Sequence, residues 1–394
     1  MKQGWEIKKL GEVVEVLDNL RKPITKRDRV EGDYPYYGAT GILSYVHNYI
    51  FSEKLVLIGE DGAKWRSGDN TSFIAEGKYW VNNHAHVIRP NNKIILDEWI
   101  VYFLNFSDLT PFITGMTVPK LNQEKMRNIP IPLPPLHEQQ RIVSILDECF
   151  VAIGKAKANA EQNLKNAKEL FESYIEDLFT KIFQESEKKT ISEIADVIGG
   201  YSFKSTVFKK EGRYQVIRMG NVRPGIIREN ESPVFIDELD ERALAKALLL
   251  PNDVIITQTG TKKKRDYGFT VIIEKENYLL NQRIASIRFS DEYLSKFFLY
   301  FSWTNIFKDQ YFANESGTVG QGNVGIGAIT DAKVPFITVK EQKIAVEKID
   351  KLRVESQRME AIYQKKIDDL EELKKSILQK AFAGELKTKE AVSL

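Results

Sequence analysis

Two segments of the chain carry apolar residues at alternating steps of three and four positions. In the first segment the two sets of positions are Leu146, Ile153, Ala160, Ala167 and Tyr174, with Cys149, Ala156, Asn163 and Leu170 between them. In the second they are Ile349, Ser356, Tyr363, Leu370 and Ile377, with Leu352, Met359, Lys366 and Leu373. A repeat of 3.5 residues is typical of a coiled coil. The pattern therefore predicts two long helices, over residues 137–184 and 339–386.

The two helical segments are copies of each other at an offset of 203 residues. IPLPPLHEQQRIVSILDE, from Ile131, matches VPFITVKEQKIAVEKID, from Val334, and SYIEDLFTKIF matches SILQKAFAGEL. The segments before the helices also match. LGEVVEVLD resembles ISEIADVIG at an offset of 181, and NNHAHVIR resembles NQRIASIR at an offset of 199. The chain is therefore predicted to run globular segment, helix, globular segment, helix.

We expect the two helices to form an intramolecular antiparallel coiled coil. Small seam residues of the first helix, such as Ala160, would accept larger ones of the second, such as Met359 and Tyr363. Asn163 and Lys366 would be buried polar residues that fix the register. The alternative is that each helix dimerises with another molecule. A helix of about 45 residues is roughly 65–70 Å long and could hold two globular segments apart.

Prolines precede the first helix at Pro130, Pro132, Pro134 and Pro135, whereas the second copy keeps only Pro335. Proline cannot donate to a sheet ladder, so we expect a stiff, extended, polyproline-like lead-in that sets the direction of the helix.

Both globular segments have a mixed pattern of short strands and helices. KLVLIGED, HAHVIRP, DVIITQTG and RIASIRF are strand-like, whereas DEWIVYFLNF and DEYLSKFFLYFSW are helical. The fold class is therefore α/β (α+β), with two globular domains alternating with two long helices. The predicted boundaries are a first domain at 1–136, a helix at 137–184, a second domain at 185–338, a helix at 339–386 and a tail at 387–394.

Composition limits the function classes. Formal net charge is +2 for 394 residues, so binding to nucleic acid has to be argued from local clusters. Cys149 is the only cysteine, which excludes an intrachain disulfide and a cysteine-based metal site. No apolar run reaches the roughly 20 residues of a membrane span, and MKQGWEIKKL lacks a signal-peptide core. We expect a cytoplasmic protein without membrane contact.

The loops of both domains mix basic residues with aromatic residues and amides, a mixture suited to phosphates and base edges. The candidate DNA-binding residues of the first domain are Arg21, Lys22, Lys26, Arg27, Tyr36, Tyr37, Lys64, Trp65, Arg66, Asn82, Asn83, His84 and His86. Those of the second domain are Lys204, Arg218, Asn221, Arg223, Thr259, Lys262, Lys263, Lys264, Arg265, Asn281, Gln282, Arg283, Gln321 and Asn323. DNA contact is the favoured interpretation of the lysine run, with a solvated turn as the alternative, and the tyrosines could equally be core residues.

The chain offers little sign of catalysis. GQGNVG, at 320–325, has the letters of a dinucleotide-binding loop, but the residues after it show no helical periodicity. We therefore expect a flexible loop there. His84 and His86 lack a third metal ligand nearby in sequence. We predict no catalytic residue and no metal site.

The whole chain resembles the specificity subunits of Type I DNA restriction–modification systems, the HsdS family. The resemblance is carried by the repeated helix lead-ins and by LQKAFAGEL, YPYYGATG, LIGEDG, NNHAHVIRP and NQRIASIR. It implies two target-recognition domains, each for one half of a split, asymmetric double-stranded DNA target. It also implies a coiled coil that fixes the spacing between the halves.

The same resemblance implies partner proteins and places the cofactors on them. Two modification subunits would methylate adenine with S-adenosylmethionine, and restriction subunits would cleave with ATP and Mg²⁺. The chain itself would bind no cofactor. Two other hypotheses remain open from the residues alone: an enzyme, either methyltransferase or nuclease, with an unrecognised catalytic motif, and a spacer that binds only proteins.

Overall fold

A computed structural model describes residues 4–115, 117–318 and 320–386. The predicted tail at 387–394 and the first three residues of the predicted first domain lie outside these residues. The chain divides into two compact units, which are described separately. The first unit is built on the chain up to Gln162 and from Tyr363 onwards, and the second on Asn163–Ile362.

The chain up to the end of the first long helix contains nine strands and four helices among its described residues. The strands are β1 (Glu6–Lys9), β2 (Val14–Val16), β3 (Tyr34–Gly38), β4 (Gly41–Val46), β5 (Leu55–Gly59), β6 (Ser72–Ala75), β7 (Trp80–Val81), β8 (Ala85–Pro90) and β9 (Pro130–Leu133). The helices are α1 (Leu10–Val13), α2 (Asp97–Phe106), α3 (Gln123–Arg127) and α4 (Leu136–Glu185).

The rest of the described chain contains fourteen strands and six helices. The strands are β10 (Glu187–Thr190), β11 (Ala195–Gly199), β12 (Tyr214–Ile217), β13 (Val222–Arg223), β14 (Ile226–Ile227), β15 (Phe235–Ile236), β16 (Val254–Thr257), β17 (Thr259–Gly260), β18 (Thr270–Ile272), β19 (Tyr278–Leu280), β20 (Ile284–Phe289), β21 (Ser316–Thr318), β22 (Gln321–Asn323) and β23 (Lys333–Phe336). The helices are α5 (Ile191–Ile194), α6 (Glu241–Ala247), α7 (Ser295–Phe301), α8 (Asn305–Phe312), α9 (Ile326–Thr330) and α10 (Val339–Ala383).

The same pair of sheets occurs in both units. A four-stranded antiparallel sheet has the order β2-β8-β5-β6 in the first unit and β11-β20-β16-β18 in the second. A three-stranded sheet has the order β4-β3-β7 in the first and β15-β12-β19 in the second. The register agrees as well, because Glu15 pairs with Arg89 and Asp196 pairs with Arg288. The sequence repeat is therefore a structural repeat, and the predicted mixed fold is confirmed.

The proline-rich lead-in is extended, as predicted, but it is a strand and not a free polyproline segment. β9 pairs antiparallel with β1, so that Ile131 lies opposite Lys8 and Pro132 opposite Ile7. The indole of Trp99 donates to the carbonyl of Pro132 at 2.9 Å. The second lead-in, β23, pairs with β10 in the same way. A two-stranded ribbon tolerates proline because each strand has a free edge.

Buried glutamines fix the start of each long helix. Gln139 is fully buried, donates to the carbonyls of Ile94 and Pro134 at 2.8 and 2.9 Å, and accepts from the Leu96 N–H at 3.0 Å. These bonds satisfy backbone groups that would otherwise be buried without partners.

Gln342 repeats this arrangement in the second unit. It donates to the carbonyls of Glu292 and Ile337 at 3.0 and 2.9 Å and accepts from the Leu294 N–H at 2.8 Å. The glutamine of the Glu-Gln pair that follows each lead-in therefore has the same structural role twice.

In the first unit, the beginning of α4 packs on the end of α10. Leu146 and Ile153 share a core with Ile377 and Phe382, and the Phe382 ring contacts Trp99 of α2 with ring centroids 4.9 Å apart. The two helices therefore run antiparallel here.

In the second unit, the end of α4 packs on the beginning of α10. Ile175 and Phe179 share a core with Ile349, and Phe179 contacts Phe297 and Phe301 of α7. The intramolecular antiparallel pairing is confirmed, and Phe179 and Phe382 have matching places in their units.

The predicted seam is wrong in the middle of α4. Asn163 is exposed and Leu170 is 62% exposed, whereas their neighbours Leu164 and Phe171 are half-buried. From Ala160 on, the less exposed positions are Leu164, Ala167, Phe171 and Tyr174. The set that contains Ala167 and Tyr174 therefore keeps its predicted places, and the other set moves on by one residue.

The seam of α10 shifts in the same sense. Lys366 is exposed while Ile367 is half-buried, and Met359 is 41% exposed. Ser356 keeps its predicted buried place because its hydroxyl donates to the carbonyl of Ala167 at 2.9 Å. Neither Asn163 nor Lys366 is therefore a buried register residue.

Two further expectations for the second domain need correction. GQGNVG is not a flexible loop, because β22 pairs with β21 and β17, and α9 follows directly. The hairpin is antiparallel and α9 has five residues, so the βαβ unit of a dinucleotide site is not formed. In addition, a second helix, α8, follows the predicted α7.

No helix in the described ranges is long and apolar enough to cross a bilayer.

Candidate nucleic-acid interface

The polar loops of the first unit meet at one end of its four-stranded sheet. Glu60 follows β5 and His84 precedes β8, and the pairing of Gly59 with Ala85 places both loops at the same end. The Glu60 N–H donates to the His84 carbonyl at 2.9 Å. The chain leaving β2 reaches the same end, since the Leu17 N–H donates to the Val87 carbonyl at 2.8 Å.

A network of charged and imidazole side chains joins these loops below the surface. Arg21 donates to Glu60 Oε2 at 2.5 Å and lies 3.3 Å from Asp18 Oδ2. Lys120 Nζ lies 2.6 Å from Glu60 Oε1. His86 is buried, with Nδ1 2.6 Å from Asp18 Oδ2 and Nε2 2.7 Å from the backbone carbonyl of the residue after Lys120. The network therefore ties four chain segments into one rigid support.

Both carboxyl groups of the network favour the ionised form. Burial would raise the pKa of Asp18, but hydrogen bonds from His86, from the Val87 N–H and from Gln123 outweigh it and lower the pKa below its ordinary value. Burial would likewise raise the pKa of Glu60, and hydrogen bonds from Lys120 and Arg21 lower it.

Asp18, Glu60 and His86 could approach one metal ion, because their ligand atoms lie within 4.8 Å of one another. However, Arg21 and Lys120 already neutralise the carboxylates. Both ring nitrogens of His86 already contact oxygen atoms of the chain, Asp18 Oδ2 and the Leu121 carbonyl, so neither is directed at an open position. The geometry favours an ion-pair network over a metal site.

The structure divides the candidate residues of the first domain by exposure. Lys22, Lys26, Arg27, Lys64, Arg66, Asn83 and His84 are exposed, Arg21 and Tyr37 are half-buried, and Tyr36, Trp65, Asn82 and His86 are buried.

The four buried candidates have internal partners and present no side chain to a ligand. The Tyr36 hydroxyl accepts from the Ile24 N–H at 2.9 Å, and the Trp65 indole donates to the Gly59 carbonyl at 3.2 Å. Asn82 accepts from the His84 N–H at 2.8 Å, which holds the turn before β8. Tyr36, Trp65, Asn82 and His86 are therefore supporting residues, as is the ion-paired Arg21.

The second unit builds the corresponding sheet end mainly from amide and hydroxyl side chains, with Arg283 beside them. Gln258 donates its N–H to the Arg283 carbonyl at 2.9 Å and its amide to the Val324 carbonyl at 3.1 Å. Thr259 donates to Asn323 Oδ1 at 2.9 Å. This end of the sheet therefore lacks, among its described residues, the carboxylates that surround His86 in the first unit.

The lysine run of the second domain lies on an ordered turn. Asp266 accepts from the Thr261 N–H at 2.6 Å, and this backbone hydrogen bond outweighs burial and lowers the pKa of Asp266. Arg265 has a φ of 46° and lies over the Phe312 ring at 4.8 Å. The turn holds Lys263 and Lys264 in solvent, so their charges can contact phosphates.

Exposure divides the candidates of the second domain as well. Lys204, Lys263, Lys264, Arg265, Gln282, Arg283 and Gln321 are exposed, Arg218, Arg223, Lys262, Asn281 and Asn323 are half-buried, and Asn221 and Thr259 are buried. Asn221 donates to the carbonyls of Arg228 and Glu231, which makes it a loop support and not a surface contact.

Two polar residues at the sheet end of the first unit were missed from sequence. Asp61 and Lys120 are paired in an isolated antiparallel β-bridge, although they are far apart in the chain. Their sequence signal was weak, because a lone lysine in a loop and an acidic residue rarely indicate binding to DNA.

Comparison with known proteins gives the family of the chain's relatives. The family model of the Type I restriction modification DNA specificity domain matches residues 2–162 and 184–372. A putative type I restriction enzyme specificity subunit of Haemophilus influenzae is 31% identical over 284 residues, which cover 70% of each chain. The MjaVIII specificity subunit of Methanocaldococcus jannaschii is 25% identical over 98% of this chain and 94% of that protein.

Solved structures support the fold. A chain from a study of complex assembly and conformational transition of the type I R-M system matches with a TM-score of 0.74 and 16% identity, over 98% of this chain and 99% of that chain. The HsdS subunit of Thermoanaerobacter tengcongensis matches with a TM-score of 0.58 and 17% identity, over 98% of each chain.

Proposed function

The chain belongs to the Type I restriction–modification DNA specificity family and has two recognition domains, and we propose that each domain reads one half of a bipartite, asymmetric DNA target. The observation that carries this proposal is the structural repeat. One chain builds the same pair of sheets twice, and the loops at the matching sheet ends carry unlike side chains. Two domains that share one fold but present different side chains are suited to recognising two different DNA sequences.

We further propose that the paired helices set the number of unread base pairs between the two halves. They would also form the scaffold on which two modification subunits and the restriction subunits assemble. In this proposal adenine methylation uses S-adenosylmethionine, cleavage uses ATP and Mg²⁺, and all three are bound by partner subunits. The chain contributes recognition without catalysis.

An exchange of recognition domains tests the proposal. Residues 1–128 are replaced by the corresponding segment of another specificity subunit, and the chimera is assembled with its modification subunits. We expect the methylated sequence, mapped by single-molecule sequencing, to change in one half only. A change in both halves would contradict independent reading. A complex of the unaltered chain that methylates without sequence preference would contradict recognition itself.

A further inference from the structure

The sheet end of the first unit has a specific hydrogen-bonded frame. Besides the bond between Glu60 and His84, the Leu121 N–H donates to the Glu60 carbonyl at 2.8 Å. Asp61 and Lys120 lie opposite each other in an antiparallel bridge, and Thr114 bridges to Lys120 on the other side. Three short chain segments are therefore aligned side by side at this end.

The second unit has the same frame at the same place. The Gln258 N–H donates to the Arg283 carbonyl, and the Val324 N–H donates to the Gln258 carbonyl, each at 2.9 Å. Thr259 pairs with Asn323, and Ser316 pairs with Asn323 on the other side. Every backbone bond and bridge of the first frame thus has a counterpart in the second.

The counterparts give a residue-by-residue correspondence between the two units. Asp61 corresponds to Thr259, Asn83 to Gln282, His84 to Arg283 and Lys120 to Asn323. The side chains also contact one another at matching positions. His84 and Lys120 both contact Asp61 in the first unit, and Thr259 and Arg283 both donate to Asn323 Oδ1 in the second.

We propose that these positions form a base-reading patch in each recognition domain. The first patch consists of Asp61, Asn83, His84 and Lys120. The second consists of Gln282, Arg283 and Asn323, held by the buried Thr259, whose hydroxyl donates to Asn323 Oδ1. The inference rests on the proposed function and adds the residues that make the two halves of the target different.

The two patches offer different hydrogen-bonding groups. The first contains a carboxylate, Asp61, which can accept from the exocyclic amino group of cytosine or adenine, next to the cation of Lys120. The second contains no carboxylate; it offers the guanidinium fork of Arg283, suited to guanine, and the amide of Gln282. The same frame would thus select different bases.

Exposure supports a reading role for the surface residues of the patches, since Asn83 and His84 in the first and Gln282 and Arg283 in the second are exposed. The side chains of His84 and Lys120 are 50% and 41% exposed, and that of Asp61 is 21% exposed, although His84 and Lys120 both contact Asp61. Arg283 is exposed and has a φ of 72°, a left-handed conformation that costs free energy for a residue other than glycine. Such strain persists where the surrounding structure enforces a particular placement.

The test uses conservative substitutions in the full chain assembled with its modification subunits. Arg283→Lys keeps the charge but loses the guanidinium fork, and Asp61→Asn keeps the shape but loses the carboxylate. Methylation is measured on a DNA library randomised across both half-sites. Matched controls are Arg242→Lys and Glu76→Gln, exposed residues of the second and first unit outside the patches.

We expect each patch variant to lower discrimination at one position about tenfold or more, Arg283→Lys in one half-site and Asp61→Asn in the other. The controls should leave the selected sequences unchanged.

If methylation falls equally for all sequences, or if the selection is unaltered in both variants, the patch does not read bases. Thermal unfolding and an assembly assay with the modification subunits show whether each variant is folded, so that a folding defect is not mistaken for a loss of base recognition. If the unaltered complex shows no sequence preference, the proposed function fails instead.

Discussion

Gln139 and Gln342 show how single residues attach each domain to its helix. Each is fully buried, and each forms three hydrogen bonds to backbone groups of the adjoining loops. The repeat in the sequence identified these positions as equivalent but gave no reason for a buried amide. The reason depends on carbonyls of Ile94 and Glu292, which only the folded chain brings near.

Replacement of Gln342 by Met should destabilise the second unit by about 2–4 kcal/mol. Methionine fills a similar volume, but the Leu294 N–H and two carbonyls lose their buried partner. Urea denaturation measures the loss, and Gln357→Met, an exposed position of the same helix, serves as the control. Equal effects of the two substitutions would show that the buried amide contributes nothing specific.

Replacement of Asp18 by Asn should destabilise the first unit by about 3 kcal/mol at pH 7, because it removes one partner from a buried charge network. The pKa of Asp18 is lowered on folding, so its carboxylate stabilises the fold above the unfolded value of 3.8, and this contribution is lost as the pH falls through the lower folded value. The difference between the two proteins should therefore shrink below about pH 4.

Unfolding of this variant is best followed by tryptophan fluorescence, because Trp5, Trp65, Trp80 and Trp99 lie in the first unit and only Trp303 in the second. Glu76→Gln is the control for loss of an exposed carboxylate in the same unit. A destabilisation by Asp18→Asn that stays constant down to pH 3 would contradict the assigned network.

At the scale of elements, periodicity predicted the two long helices and the main strands well. β8, β20 and α2 lie where the pattern placed them. The errors occurred where partners decide the structure. β9 pairs with β1 across the whole first domain, and β22 pairs within a glycine-rich hairpin, which no local pattern reveals. In the middle of the long helices the heptad repeat is interrupted by one additional spacing of four residues. An α-helix of 3.6 residues per turn accommodates this interruption, because it does not match a strict 3.5-residue repeat.

The turn at 261–266 exposes Lys263 and Lys264, and we predict that it contacts phosphates. Substitution of Lys262, Lys263 and Lys264 by Ala should make the dependence of DNA affinity on salt concentration shallower, by up to about one unit of the logarithmic slope per lost contact. Fluorescence anisotropy at several salt concentrations measures the slope with the full chain.

The control for the turn is the substitution of Lys343, Lys348 and Lys351 by Ala, three exposed lysines of α10. It removes the same charge without touching the turn. If both triple variants reduce the slope equally, the effect is one of net charge, and the turn does not contact the phosphates.

At the scale of the molecule, duplication explains why the chain forms the same helix entry twice. In each unit, one long helix has a buried glutamine in its first turn, and the other has a buried phenylalanine in its last turns, Phe382 in the first unit and Phe179 in the second. A tyrosine of the globular helix also bonds an aspartate of the long helix in each, Tyr102 to Asp147 and Tyr300 to Asp350. Duplication provides two equivalent frames, and under the proposed function the divergence of the loops would let one chain recognise an asymmetric target.

If the paired helices set the spacing of the target, shortening both should shorten the gap between its halves. Deletion of seven residues from the central part of α4 and seven from that of α10 removes about 10 Å of helix while turning the remaining seam by only about 20°. At about 3.4 Å per base pair, the gap in the methylated sequence should shrink by about three base pairs. A variant in which the same fourteen residues are replaced by alanine-rich heptads of equal length should keep the original gap. An unchanged gap in the shortened protein would mean that something other than helix length sets the distance between the two half-sites.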